Sequence, residues 1–214
     1  MVRNLSIWDA STFTASSQGI TIMRAILASC PNIVCLQVSP TICAQNLLAG
    51  LRPVPRLYVC DSILDDPFLL GAGNCARSLT HLHVMDLRYF TLWVDTLEPF
   101  QDDIAKAFPQ LTVFSSTTEL EAHGCSARLA AAVRAVLSIP TIERVNIEIT
   151  CEQGVEYTES PVCRALHDLE DARVYASGAV PRIALLSSII ELARWRSGAI
   201  GVDDFWHKGS QVYL

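Results

Sequence analysis

Short segments recur along the chain with apolar residues at the first, fourth and sixth positions and polar residues between them. The clearest copies are Val2/Leu5/Ile7, Ile33/Leu36/Val38, Leu79/Leu82/Val84 and Ile142/Val145/Ile147. Fainter copies are Leu57/Cys60/Ser62, Leu111/Phe114/Ser116 and Leu169/Ala172/Val174. Their first positions fall at 2, 33, 57, 79, 111, 142 and 169, between 22 and 32 residues apart. Alternation within each copy predicts a strand with one buried face. Recurrence at this irregular spacing predicts a degenerate leucine-rich repeat, whose unit is a short strand followed by a helix.

Helical periodicity fills the intervals. Leu97, Phe100, Ile104 and Phe108 share one face of a helix that ends at Pro109. Ala127 to Leu137 is alanine-rich and carries Leu129, Val133, Val136 and Leu137 as its apolar stripe. Ile22, Ile26 and Leu27 form a similar stripe before Pro31. Proline suits these junctions because it cannot continue the helical ladder.

In this register the fifth position of each copy points to the concave, solvent-facing side of the sheet. The row reads Ser6, Gln37, Asp61, His83, Ser115, Asn146 and Arg173, all polar in a chain that is 50% hydrophobic. The seventh positions are mixed: Trp8, Ser39, Ile63, Met85, Thr117, Glu148 and Tyr175. Polar groups flanked by aromatic and aliphatic ones suit protein recognition. The candidate binding residues are Gln37, Asp61, His83, Met85, Asn146, Arg173 and Tyr175. The plainer alternative is a solvated face with no ligand.

The last stretch has a different pattern. Ser188 to Glu191 is a capping box opening a helix, and Gly198 is placed to close it. Asp203 and Asp204 introduce a second short helix carrying Phe205 and Trp206. With Trp195, these aromatics are expected to cover the core of the last repeat, as the end of a repeat array requires. The expected architecture is therefore α/β: residues 1–186 form a leucine-rich-repeat-like solenoid of short parallel strands and helices. Residues 187–214 form a C-terminal helical cap within the same domain. The first copy starts at Val2 with no comparable cap, so its exposed edge is expected to favour self-association.

Charge and composition narrow the function. A net charge of -6 lacks the basic face that nucleic acid needs. The uncharged run from Ala25 to Leu51 is interrupted by Pro31 and Pro40, which rules out a continuous apolar membrane span. No signal-peptide pattern opens the chain. The 8 cysteines include no C-x-x-C pair, so they are expected to be buried free thiols in a reducing cytoplasmic or nuclear compartment.

Candidate chemistry is sparse. His81 and His83 lie two apart on a strand, so both imidazoles would face one side near Asp86, but further metal ligands are lacking. His123-Gly-Cys125 has a thiol and a base adjacent in sequence, which is not the geometry a nucleophilic pair needs. Gly71-Ala-Gly73 lacks the third glycine of a dinucleotide turn. Glu143, Glu148, Glu152, Glu156 and Glu159 are expected to form a solvated edge. No catalytic residue, metal or cofactor is implied.

The segments from Asp171 to Tyr175 and from Trp195 to Trp206, ending in Asp204-Phe205-Trp206, resemble the C-terminal end of F-box-type leucine-rich-repeat proteins of mushroom-forming fungi. The runs from Cys30 to Leu36 and from Ser78 to Val84 are similar to their internal repeats. Arg196 and His207-Lys208 depart from the pattern. The resemblance implies the substrate-recognition half of a ubiquitin-ligase receptor. No F-box is recognised before the repeats, so binding to a Skp-type adaptor is expected only if one lies upstream. The first reading is thus a non-enzymatic protein-interaction module. The alternative is a small doubly wound α/β enzyme, which would also alternate strands and helices.

Overall fold

The computed structural model describes residues 4–7, 17–38, 54–59, 77–84, 105–106, 108–119, 126–151, 156–179 and 209–212. Eight strands form one sheet in chain order: β1 (Asn4–Ile7), β2 (Cys35–Val38), β3 (Arg56–Val59), β4 (His81–Val84), β5 (Val113–Glu119), β6 (Arg144–Thr150), β7 (Val174–Ala179) and β8 (Ser210–Gln211). The first seven pair in parallel, while β8 pairs antiparallel with β7. Three described helices are α1 (Ser17–Ser29), α2 (Ser126–Leu137) and α3 (Pro161–His167), with a 3-10 turn over Tyr157–Glu159.

Chain order decides which face the helices cover. Right-handed crossovers that always step to the next strand on the same side return along one face of the sheet. Leu27 of α1, Leu129 and Val133 of α2, and Val162 and Leu166 of α3 share one core with Leu36, Leu82, Phe114, Val145 and Val174. These strand residues are in register with one another, at the fourth position of each copy. Residues on either side of them in each strand face the other way. The parallel, chain-ordered pairing expected of the copies is therefore present.

Two of the fainter copies need a different register. Leu57 pairs with Leu36 and Leu82, which makes it a fourth position, and buried Val54 takes the first. Val174 pairs with Val145, so the first position of the last copy is Asp171. Apolar spacing alone cannot tell position one from position four at Leu57, or position six from position four at Val174, when the flanking apolar residues are missing. At β3 the signal is compressed into Pro53-Val54-Pro55, a single apolar residue between two prolines. The fifth-position row therefore contains Tyr58 and Tyr175 in place of Asp61 and Arg173.

The copy at Leu111 keeps its expected register, although its sixth position is Ser116. That side chain is buried, and its hydroxyl donates to the Val84 carbonyl at 2.7 Å. A similar bond recurs where strands begin. Thr80 Oγ1 donates to the Pro55 carbonyl and Thr112 Oγ1 to the Thr80 carbonyl, each at 3.0 Å. The same carbonyls accept the backbone N–H groups of Thr80 and His81, and of Thr112 and Val113. Threonine thus ties the copies at Leu79, Leu111 and Ile142 each to the one before it, the last through Thr141 Oγ1 to the Leu111 carbonyl at 2.8 Å.

Helix α2 matches the expected Ala127–Leu137 helix, with Leu129, Val133, Val136 and Leu137 buried. Ala132 and Ala135 have 0% exposure and let the helix approach closely. The α1 stripe is different: Leu27 is buried, but Ile22 and Ile26 are exposed. Gly19 and Leu27, about two turns apart, face inward instead. Of the helix expected over Leu97–Phe108, Ala105 and Lys106 are helical and Phe108 is buried; the rest lies outside the described residues.

Helix α3 opens on Ser160, whose side chain accepts the Cys163 N–H at 3.0 Å, with Pro161 in the first turn. Most of the expected C-terminal cap, with Trp195, Phe205 and Trp206, lies outside the described residues. Its described end is β8, whose Gly209 has φ +95 and whose Val212 N–H bonds the Val174 carbonyl at 3.0 Å. Among the described residues no helix is long and apolar enough to cross a membrane.

Candidate functional site

The sheet face away from the helix-packed core carries the candidate residues. Its best-described part spans β4 to β7, where His83, Ser115, Asn146 and Tyr175 form one register row. His83, Ser115 and Asn146 are buried, in contrast to the expected solvent-facing row, while Tyr175 is half-buried. Strands about 4.8 Å apart place short side chains in the shadow of longer neighbours. Ser115 and Asn146 form the floor of the face beneath longer side chains, whereas the whole His83 ring is covered, with 1% exposure.

Arg144 is the clearest case of that layering. Its Nε donates to Asn146 Oδ1 at 2.7 Å, and its guanidinium carbon lies 3.4 Å from the centroid of the Tyr175 ring. Residues 144 and 146 share a face because they are two apart on β6, and Tyr175 is the register partner of Asn146. An amide below and an aromatic ring beside it orient the guanidinium plane. Arg144 was not among the candidates from sequence, although its two-residue step from Asn146 was the available signal.

Arg173 plays a different part from the one expected. Its Nε and Nη2 donate to the two carboxylate oxygens of Asp171 at 2.9 and 2.6 Å, and Nη1 donates to the Ile142 carbonyl at 3.3 Å. Asp171 Oδ1 also accepts the Arg173 N–H at 2.9 Å. The hydrogen bonds from Arg173 hold the Asp171 carboxyl below its ordinary range, and the same pair raises the guanidinium. This bidentate pair fastens the start of β7 to the preceding copy. Arg173 is therefore a structural tie.

The remaining candidates divide plainly. Gln37 pairs in register with Ser6 and Tyr58. Asp61 and Met85 lie outside the described residues, as do His123, Cys125 and Gly71 to Gly73. His81 is half-buried and contacts Thr80 Oγ1 through Nδ1 at 2.9 Å. Among the described residues no three His, Cys, Asp or Glu side chains converge to hold a metal. Glu143, Glu156 and Glu159 are exposed, as a solvated edge requires.

A second concavity of about 450 Å³ lies between α3, β7 and β8, lined among others by Tyr157, Cys163, His167, Ala176 and Gln211. Burial pushes the Cys163 thiol above its ordinary range. A raised thiol is a weak nucleophile, and His167 is exposed with its Nδ1 4.0 Å from Asp168 Oδ1. This site lacks an activated nucleophile.

Comparison with protein-family models, curated proteins and solved structures finds no match for this chain.

Proposed function

We propose that the chain is a protein-interaction module of the leucine-rich-repeat kind, a solenoid that binds its partner across the polar sheet face. The observation that carries this reading is the pairing of strand order with face chemistry. Seven parallel strands run in chain order, and the described helices share one core with the apolar face. The opposite face carries an oriented guanidinium, an amide and a phenol, groups suited to recognition. The sequence resemblance supports a role as the substrate-recognition half of an F-box-type receptor, with a Skp-type adaptor bound only if an F-box lies upstream. A doubly wound enzyme would place its ligand at a reversal of strand order, and the described order contains none.

The test is panning of a random-peptide display library on the purified chain and on a Tyr175→Ala/Glu148→Ala variant. Both substitutions fall on half-buried positions of the polar face. Peptides that lose binding to the variant support the reading. Peptides that bind both proteins equally, with both folded by circular dichroism, overturn it.

A further inference from the structure

The third position of each copy forms a second row on the same face, at the N-terminal ends of the strands. Register pairs Arg56 with His81, His81 with Val113, and Val113 with Arg144. Arg56, His81 and Arg144 are each half-buried, and Val113 between them is buried. Toward the other end of the strands the face carries Glu148, two residues beyond Asn146 on β6. The face is therefore polarised along the strand direction, and its basic end stands out in a chain of net charge -6.

We infer that this row receives an extended acidic segment of a protein partner, crossing the strands with carboxylates four residues apart. The inference rests on the protein-binding reading of the face and names the chemistry of its ligand. Arg56 and Arg144 are three strand steps apart, about 14 Å at about 4.8 Å per step. An extended chain advances about 3.3 Å per residue, so side chains at i and i+4 sit about 13 Å apart on one side. Two carboxylates at that spacing match the two guanidinium groups, with the His81 imidazole between them. The contacts from Asn146 and Tyr175 orient the Arg144 guanidinium before the ligand arrives, which lowers the ordering cost of binding. Nucleic acid fits poorly: two arginines and one histidine neutralise few phosphates, and the overall charge repels the rest.

The probe is a fluorescein-labelled Thr-Ser-Glu-Thr-Ser-Thr-Glu-Ser-Thr peptide, measured by anisotropy against the full chain. A version with Gln at both Glu positions and one with Lys there serve as comparisons. The proteins are the wild type, an Arg56→Gln/Arg144→Gln variant and a Glu159→Gln variant, each checked for folding by its thermal transition. The Glu peptide should bind the wild type and weaken about 10- to 100-fold in the double arginine variant, the scale of losing hydrogen bonds to charged groups. Glu159→Gln, an exposed position on the 3-10 turn away from this face, should bind it as well as wild type, and added salt should weaken it. Equal binding of the Glu and Gln peptides, no binding of the Glu peptide, or full binding by the double arginine variant would each overturn the inference.

The library ligands separate this inference from the reading beneath it. Suppose they lose binding to Tyr175→Ala/Glu148→Ala but keep it with Arg56→Gln/Arg144→Gln. Then the acidic-segment inference fails and the protein-binding reading stands. If they keep binding to both variants, both fail.

Discussion

The guanidinium carbon of Arg144 lies 3.4 Å from the centroid of the Tyr175 ring, across two neighbouring strands in which Tyr175 pairs with Asn146, two residues beyond Arg144. This contact, with the Asn146 hydrogen bond beneath it, links the last two long strands on the polar face. A half-exposed cation over an aromatic ring contributes about 0.5–1 kcal/mol. A double-mutant cycle of Arg144→Ala and Tyr175→Leu in urea unfolding should return a coupling of that size. Strictly additive effects would show that the stacking contributes nothing to stability.

The Asp171–Arg173 pair makes a directional pH prediction. Hydrogen bonds from Arg173 lower the Asp171 carboxyl below its unfolded value, so the folded state favours the carboxylate. Its contribution is complete above the unfolded value of about 3.9 and is lost as pH falls through the lower folded value. Arg173→Gln should therefore flatten the acid limb of the stability curve below about pH 4. An unchanged slope in denaturant melts across that range would remove Asp171 from the account of acid unfolding.

Gly209 should tolerate no side chain. Its φ of +95 is a region that L-residues rarely adopt, and an added Cβ would lie 2.7 Å from the Ala176 carbonyl oxygen. Gly209→Ala is expected to cost at least about 1–3 kcal/mol, the scale of a strained backbone residue. The loss should be local to β8, with faster hydrogen exchange at the Val212 amide, which bonds Val174. Wild-type exchange at Val212 in the variant would contradict this.

The threonine ties between copies should be measurable singly. Thr112→Val keeps the shape and removes the hydroxyl bond to the Thr80 carbonyl, which still accepts two backbone N–H groups. The expected loss is about 1 kcal/mol. Leu82→Ala, in the fully buried row nearby, should cost about 2–5 kcal/mol. If the two variants lost equal stability, a single tie would matter as much as a leucine of the hydrophobic row it aligns.

Cys163 should react slowly. Burial raises its thiol above the ordinary range, so the thiolate fraction at neutral pH falls below that of a free cysteine. Peptide-resolved alkylation should show a rate below that of a free cysteine at pH 7.5, rising at higher pH. Rapid labelling at pH 7 would mean that its site opens often.

The copies at Ile33, Leu79 and Ile142 were legible in sequence because each kept apolar residues at all three core positions, and a parallel sheet buries such residues in register. Helix α2 was legible for the same reason, since Leu129, Val133 and Val136 fall on one helical face. The copies at Leu57 and Leu169 were misplaced because a lone apolar residue suits more than one core position: Leu57 fits the first as well as the fourth, and Val174 the sixth as well as the fourth. Backbone pairing with Leu36 and Leu82, and of Val174 with Val145, decides between them. That decision moves Tyr58 and Tyr175 into the fifth-position row and leaves Arg173 bound to Asp171.

Periodicity alone determined which residues share a face, because alternation along a strand is a property of the chain itself. Tertiary structure decided which of those residues reach solvent. His83, Ser115 and Asn146 are polar by sequence and buried in the fold, because exposure depends on the side chains of neighbouring strands that lie tens of residues away. The stacking of Arg144 on Tyr175 has the same origin: the residues are 31 positions apart, and a parallel register brings them into contact.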